Sequence, residues 1–307
     1  MRKFGFGAWL ALLLVAPSAM ASAQPLEFQP HQIQQLELRH LEQRLATTAR
    51  ENPGEYGIAA LDLATGQTIG VNADMAFPMA STMKIAVAAA YLAEVDARRR
   101  SLGETIGAST AYELMDRMMV RSDNRATDEL IATLGGPAAI HRWLRGHGLE
   151  GIRVDRDIAD LLAARRDLWD VRDSSTPLAM LELLRLIDGD RALSAQSRAT
   201  LMDMMRRCAT GSNRIRGLMP PGTVVEHKTG TLNRYTTDVG FVTLPDGRRL
   251  AVAFFARGGD NRPAVIATAA RAIYDGFAPR LAAANPAPGT VQTTLQGGGR
   301  ALLSAEY

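Results

Sequence analysis

Residues 241–256 read FVTLPDGRRLAVAFFA, two apolar runs joined at Asp246 and Gly247, and this stretch decides the architecture. An Asp-Gly pair between β-branched and aromatic runs marks a tight hairpin, because the turn needs residues that tolerate a positive φ. The sequence therefore predicts two antiparallel strands near the end of the chain. Near its start, YGIAALDL (56–63), the turn ATGQ (64–67) and TIGVN (68–72) predict another strand pair. Between the two hairpins the pattern is mainly helical from about 110 to 210. The run from about Thr82 to Ala97 is apolar on nearly every side, as expected of a helix buried in the middle of its domain. Amphipathic stretches flank the strands. Residues 31–50 carry Ile33, Leu36, Leu38, Leu41 and Leu45 at roughly helical spacing, with a break at Pro53 and Gly54, and a last helix is expected from about Pro263 to Phe277. Strands at both ends with helices between them predict an α+β fold. Its antiparallel sheet is built from both chain ends and carries flanking helices and an inserted all-helical lobe.

The first residues, MRKFGFGAWLALLLVAPSAMASAQ, carry Arg2 and Lys3, an apolar run from Phe4 to Ala16, and small residues at Ala19, Ala21 and Ala23. That is the pattern of a cleaved secretory signal, and the run is short for a membrane span of about 20 residues. Residues 1–23 are expected to be removed, with a cut after Ala21 or Ala23, to give a periplasmic or secreted protein without a stable membrane anchor. Cleavage removes two basic residues and no acid, so the formal charge falls from +3 to +1. No polybasic footprint remains for a nucleic acid partner. Cys208 is the only cysteine, so an internal disulfide is excluded. His31, His40, His141, His147 and His227 show no paired ligand spacing, and no Gly-rich phosphate loop follows a strand. Neither metal nor cofactor is expected. Residues 24–284 form the expected domain, acting as a monomer, and 285–307, rich in Pro, Gly, Thr and Gln, are expected to be a disordered tail.

Chemistry enters through a scarcity. The chain holds three lysines against thirty-two arginines, and one lysine, Lys3, lies in the leader. In PMASTMKI (78–85), Ser81 opens the buried helix and Lys84 follows one turn on, so both face the same way. A serine hydroxyl is a weak nucleophile until a base takes its proton, and a buried amine can be that base. A guanidinium cannot lose its proton, which explains a lysine in an arginine-rich chain. RSDNRATDELI (121–131) places Ser122 and Asn124 forty-one residues later, where SDN alone reads as a helix N-cap. In EHKTGTLNRYTTDVGFV (226–242), Lys228, Thr229 and Gly230 stand at the start of a strand, where KTG alone is a turn or edge-strand signal.

Together, S-x-x-K, S-D-N and K-T-G occur in the order found in class A β-lactamases and penicillin-binding proteins. From about residue 30 to 283 the sequence resembles the class A serine β-lactamase family. The resemblance implies a hydrolase with an acyl-enzyme on Ser81 and Lys84 as base or proton relay. It further implies that Ser122 passes a proton to the leaving nitrogen, with Lys228 holding positive charge nearby. Asn124 would bond Lys84 and the substrate amide, the backbone N–H groups of Ser81 and Thr231 would form the oxyanion hole, and Thr229, Gly230 and Thr231 would line the carboxylate site. Arg262, in GGDNRPAVIATAARAI (258–273), or its rival Arg234, would meet the substrate carboxylate.

Two departures separate this chain from that pattern. The stretch between Lys84 and Ser122 is shorter than in most members, which implies a reduced wall on one side of the cleft. In VDRDIADLLAARRDLWDVRDSSTP (154–177), Arg156 and Asp173 are available for the family's loop-closing salt bridge. Ile158, however, stands two residues after Arg156, where the family carries the glutamate that activates the deacylating water. Asp160 in a shifted register, or Asp157, is the substitute expected. Two other readings follow from the missing glutamate: a penicillin-binding D,D-peptidase, and a β-lactam or peptidoglycan binder with slow or no deacylation.

Overall fold

The computed structural model describes residues 30–164 and 170–278, so the expected leader and tail lie outside the described residues. The described residues open with helix α1 (Pro30–Glu51), strands β1 (Glu55–Asp62), β2 (Thr68–Val71) and β3 (Phe77–Pro78), and a 3-10 turn (Ala80–Met83) that runs into α2 (Lys84–Asp96). The hairpin β4 (Thr105–Ile106) and β5 (Ser109–Thr110) leads to α3 (Ala111–Val120), α4 (Asn124–Thr133), α5 (Pro137–Gly146) and α6 (Ile158–Ala163). Then come β6 (Ser174–Ser175), α7 (Pro177–Asp188) and α8 (Ala195–Arg206). A second 3-10 turn (Ile215–Leu218) precedes β7 (Val225–Leu232), β8 (Tyr235–Thr243), β9 (Arg249–Arg257) and α9 (Arg262–Phe277).

The main sheet is antiparallel in the order β2-β1-β9-β8-β7. Gly247 sits at φ +85 in the β8–β9 turn, as the Asp-Gly signal requires. Because β1 pairs with β9 from Glu55 opposite Arg257 to Asp62 opposite Leu250, the two chain ends close one sheet. Side chains alternate across its pleat. Ala251, Ala253 and Phe255 of β9 enter the core shared with the helical lobe, whereas Leu250, Val252, Phe254 and Ala256 pack with residues of α1 and α9. The central strands are therefore buried on both faces. That explains why they read as near-continuous apolar runs rather than as an alternating pattern.

Helix α2 lies at the heart of the lobe core, its residues from Lys84 to Leu92 all buried. Small side chains at Ala86, Ala88, Ala89 and Ala90 let neighbouring elements approach on all sides. Two boundaries differ from the sequence reading. The first turn of the expected helix is 3-10, so α2 itself begins at Lys84. The KTG triplet lies inside β7 rather than at its start, because pairing with β8 already begins at Val225 opposite Val242. As KTG alone suggested, β7 is an edge strand.

Candidate active site

The turn holding Ser81 is fixed from three sides. Met79 N–H donates to Asp173 O at 2.9 Å, while Met79 O accepts from Thr82 Oγ1 at 2.7 Å and from Thr237 Oγ1 of β8 at 3.0 Å. Ala80 adopts φ +50, a conformation costly for a residue with a Cβ, which persists because those bonds overdetermine it. Gly230 permits the close approach of β7. A Cβ there would stand 2.3 Å from Thr237 Oγ1 and 2.7 Å from Met79 O. The Ser81 side chain is left half-buried and forms no hydrogen bond among the described residues.

Lys84 is fully buried one turn later. Its Nζ donates to Ser122 O at 2.7 Å, Asn124 Oδ1 at 2.8 Å and Ser122 Oγ at 3.2 Å. Asp123 caps α4 by accepting from Ala126 N–H, which leaves Ser122 just outside the helix at φ +61 and points it back across the cleft. From the sheet side, Lys228 Nζ donates to the same Ser122 Oγ at 3.0 Å and to Thr229 O at 2.9 Å. Burial lowers the Lys84 amine to about 7, helped by the positive charge of Lys228 and opposed by Asp123 and Asp128. Burial also lowers Lys228, to about 8. An amine near 7 holds comparable fractions of both protonation states at neutral pH, the condition a general base needs.

The structure brings Ser81, Lys84, Ser122, Asn124 and Lys228 to one place where the sheet meets the lobe. Thr229 Oγ1 pairs with Thr210 Oγ1, and Thr231 is exposed at the end of β7. The arginine at Thr231 is one that sequence reasoning missed. Arg214 donates from Nη2 to Thr231 Oγ1 at 2.6 Å and from Nη1 to Gly230 O at 2.9 Å and Thr237 O at 2.8 Å. Buried Asp238 accepts from Ile215 N–H at 3.1 Å and from His227 Nδ1 at 2.8 Å, which fixes the segment that carries Arg214. No local motif marks Arg214, since its contacts are made across 16 to 23 residues of sequence. Arg262 folds over the next strand, donating from Nε to Thr236 Oγ1 at 3.1 Å and from Nη1 to Gly258 O at 2.8 Å and to Gly259 O. Arg234 is exposed in the β7–β8 turn at φ +60.

The loop before α7 is closed by Arg156, whose Nε donates to buried Asp173 Oδ2 at 2.6 Å. Asp173 Oδ1 also accepts from the N–H groups of Asp155 and Arg156. Ile158 is buried in the lobe core. Asp157 caps α6 by accepting from Asp160 N–H at 2.8 Å, and the Asp160 side chain is exposed. Among the described residues neither aspartate bonds Lys84 or Ser81. No group of three or more His, Cys, Asp or Glu side chains that could hold a metal ion is found among the described residues.

A family model described as the β-lactamase enzyme family matches residues 40–277. The β-lactamase CTX-M-8 of Citrobacter amalonaticus is 30% identical over 284 residues, which cover 85% of this chain and 94% of that protein. The carbapenem-hydrolyzing β-lactamase KPC of Klebsiella oxytoca is 33% identical over 249 residues, 73% of this chain and 84% of that one. An ancestral class A β-lactamase of known structure superposes with a TM-score of 0.74 at 34% identity, covering 77% of this chain and 100% of that chain.

Proposed function

The chain belongs to the class A β-lactamases, a family of β-lactam hydrolases, and from that premise we propose that it opens the β-lactam amide through an acyl-enzyme on Ser81. Neutral Lys84 takes the Ser81 proton as Oγ attacks the ring carbonyl. The developing alkoxide is met by the backbone N–H groups of Ser81 and Thr231. One observation carries the reading. Ser122 Oγ accepts from both Lys84 at 3.2 Å and Lys228 at 3.0 Å, which leaves its own proton free to be donated elsewhere. That proton goes to the leaving ring nitrogen and is replaced from Lys84. The substrate carboxylate lies against Thr229 and Thr231 under the positive charge of Lys228, with Arg214 behind it in the role first expected of Arg262 or Arg234.

Deacylation is the slow half of this cycle. A shift of register makes Asp160 the substitute for the absent glutamate, but its exposure makes it a poor water holder, and misplacement of such a group costs on the order of 100-fold in rate. An adduct on Ser81 therefore accumulates during turnover. Steady-state hydrolysis of a chromogenic cephalosporin, with mass spectrometry of the acid-quenched protein, tests this. A mass increase on Ser81 together with repeated turnover supports the hydrolase. An adduct that forms once and stays identifies a binder, and release of D-alanine from a peptide ending in D-Ala-D-Ala identifies the peptidase. The protein works outside the cytoplasm after loss of residues 1–23, which N-terminal sequencing of the exported protein checks.

A further inference from the structure

Asn124 and Asp128 are four residues apart on α4 and so share one face of that helix. Asn124 holds the Lys84 ammonium, whereas Asp128 turns to the loop. Its Oδ1 accepts from Ile158 N–H at 2.7 Å and its Oδ2 from Ala159 N–H at 3.1 Å. These are the first two residues of α6, and Ile158 stands where the resemblance places a glutamate. Asp128 is thus a carboxylate set between the catalytic amine and the loop that lacks its acid. We propose that Asp128, tied to the start of α6 by those two bonds, is a positioning residue whose charge, together with that of Asp123, couples the state of the loop to the proton on Lys84.

The two tasks are linked through one carboxylate. Both oxygens already accept a backbone N–H, and spare lone pairs remain, so anchoring the loop does not use up the charge. The charge acts on Lys84 of α2, where Asp123 acts in the same sense and Lys228 of β7 opposes both. Burial, with Asp157 at the N-cap of α6, pushes the Asp128 carboxyl up, while the bonds from Ile158 and Ala159 N–H and the charge of Lys84 pull it down. Arg117 of α3 and Arg125 and Glu129 of α4 line the same groove. A proton gained by Asp128 therefore weakens the loop anchor and favours the neutral amine at Lys84 together. The loop and the base then respond to pH as one unit.

The inference rests on Lys84 being the base, and its test reads the lysine without any substrate. The protein grown on ε-13C-lysine and freed of its leader carries label at Lys84 and Lys228 alone, and Lys84→Met identifies the Lys84 resonance. Titration by NMR is expected to place the Lys84 midpoint lower in Asp128→Asn than in the parent by about half a unit or more. Asp128→Glu, which keeps the charge, should hold the parental midpoint. An unchanged midpoint in Asp128→Asn overturns the link, and an equal fall in Asp128→Glu assigns the effect to loop displacement instead. If Asp128→Asn does not fold, the reciprocal measurement decides: Lys84→Met should raise the midpoint of the Asp128 carboxyl carbon, and no change there overturns the proposal. A shifted midpoint in a protein that acylates no β-lactam sustains the link and refutes the proposed function. The reverse pattern refutes only the link.

Discussion

Among single residues, the two buried lysines carry the argument, because an amine can switch charge where a guanidinium cannot. Lys84→Arg keeps a cation beside Asn124 and Ser122 but removes the switch. Acylation of Ser81 should fall by about 100-fold or more, the scale lost with a general base, while far-UV dichroism stays parental. Near-parental acylation in stopped flow refutes Lys84 as base. With its amine near 7, the parental acylation rate should also fall about tenfold per unit as pH drops below 7, following the neutral fraction. The scarcity of lysine made this pair legible in the sequence. Arg214 was not legible, since its partners Gly230, Thr231 and Thr237 are brought to it only by the β7–β8 pairing. Arg214→Ala should raise KM about tenfold or more with a smaller loss in kcat, as expected when carboxylate binding is removed. Arg262→Ala should do less, because its guanidinium is engaged by Thr236 and the Gly258–Gly259 turn. A larger KM effect at Arg262 reverses the assignment.

At the level of elements, the site depends on an edge strand pressed against a strained turn. Gly230 lies between Thr237 and the Met79–Ala80 segment, where a Cβ would meet backbone and buried side chain inside 3 Å. Gly230→Ala forces β7 away from Ser81 and should destabilise the fold by about 1–3 kcal/mol, the usual cost of overpacking. It should also slow acylation, because Thr231 N–H moves with the strand. A variant with parental melting temperature and parental acylation contradicts this account. The β1–β2 and β8–β9 hairpins were readable from turn chemistry, α1 and α9 from their apolar spacing, and α2 from being apolar on every side, whereas the β4–β5 and β7–β8 pairs were not read. The loop from Arg156 to Asp173 was readable only in part. Its salt bridge could be paired from residue types, yet the direction of Asp160 depends on where α6 begins. That start is set by the Asp157 cap and by Asp128, thirty residues earlier in the chain.

Across the molecule, the cleft lies where the helical lobe meets the β7 edge of the sheet. The lobe contributes Lys84, Ser122 and Asn124, the sheet contributes Lys228 and Thr231, and Ser122 Oγ takes a bond from each side. Bringing the two amines this close and this deep opposes folding whenever they are charged, and the pH at which that cost acts follows from linkage. In the folded protein Lys84 titrates near 7 and Lys228 near 8, against an ordinary value of 10.5. Between pH 7 and about 10 the unfolded chain therefore binds more protons than the folded one, so these groups make stability rise with pH across that window. Below pH 7 both states hold the protons and the full cost of the buried charges remains. Lys84→Met removes one of the two groups. Its melting temperature relative to the parent should be most favourable at pH 6 and should decline steadily toward pH 9, where the parental amine is neutral. Taking the difference between the two proteins cancels the titration of surface groups common to both. A difference that stays flat from pH 6 to 9 would mean that Lys84 keeps an ordinary proton affinity in the fold, and Lys84 could then not serve as the base at neutral pH.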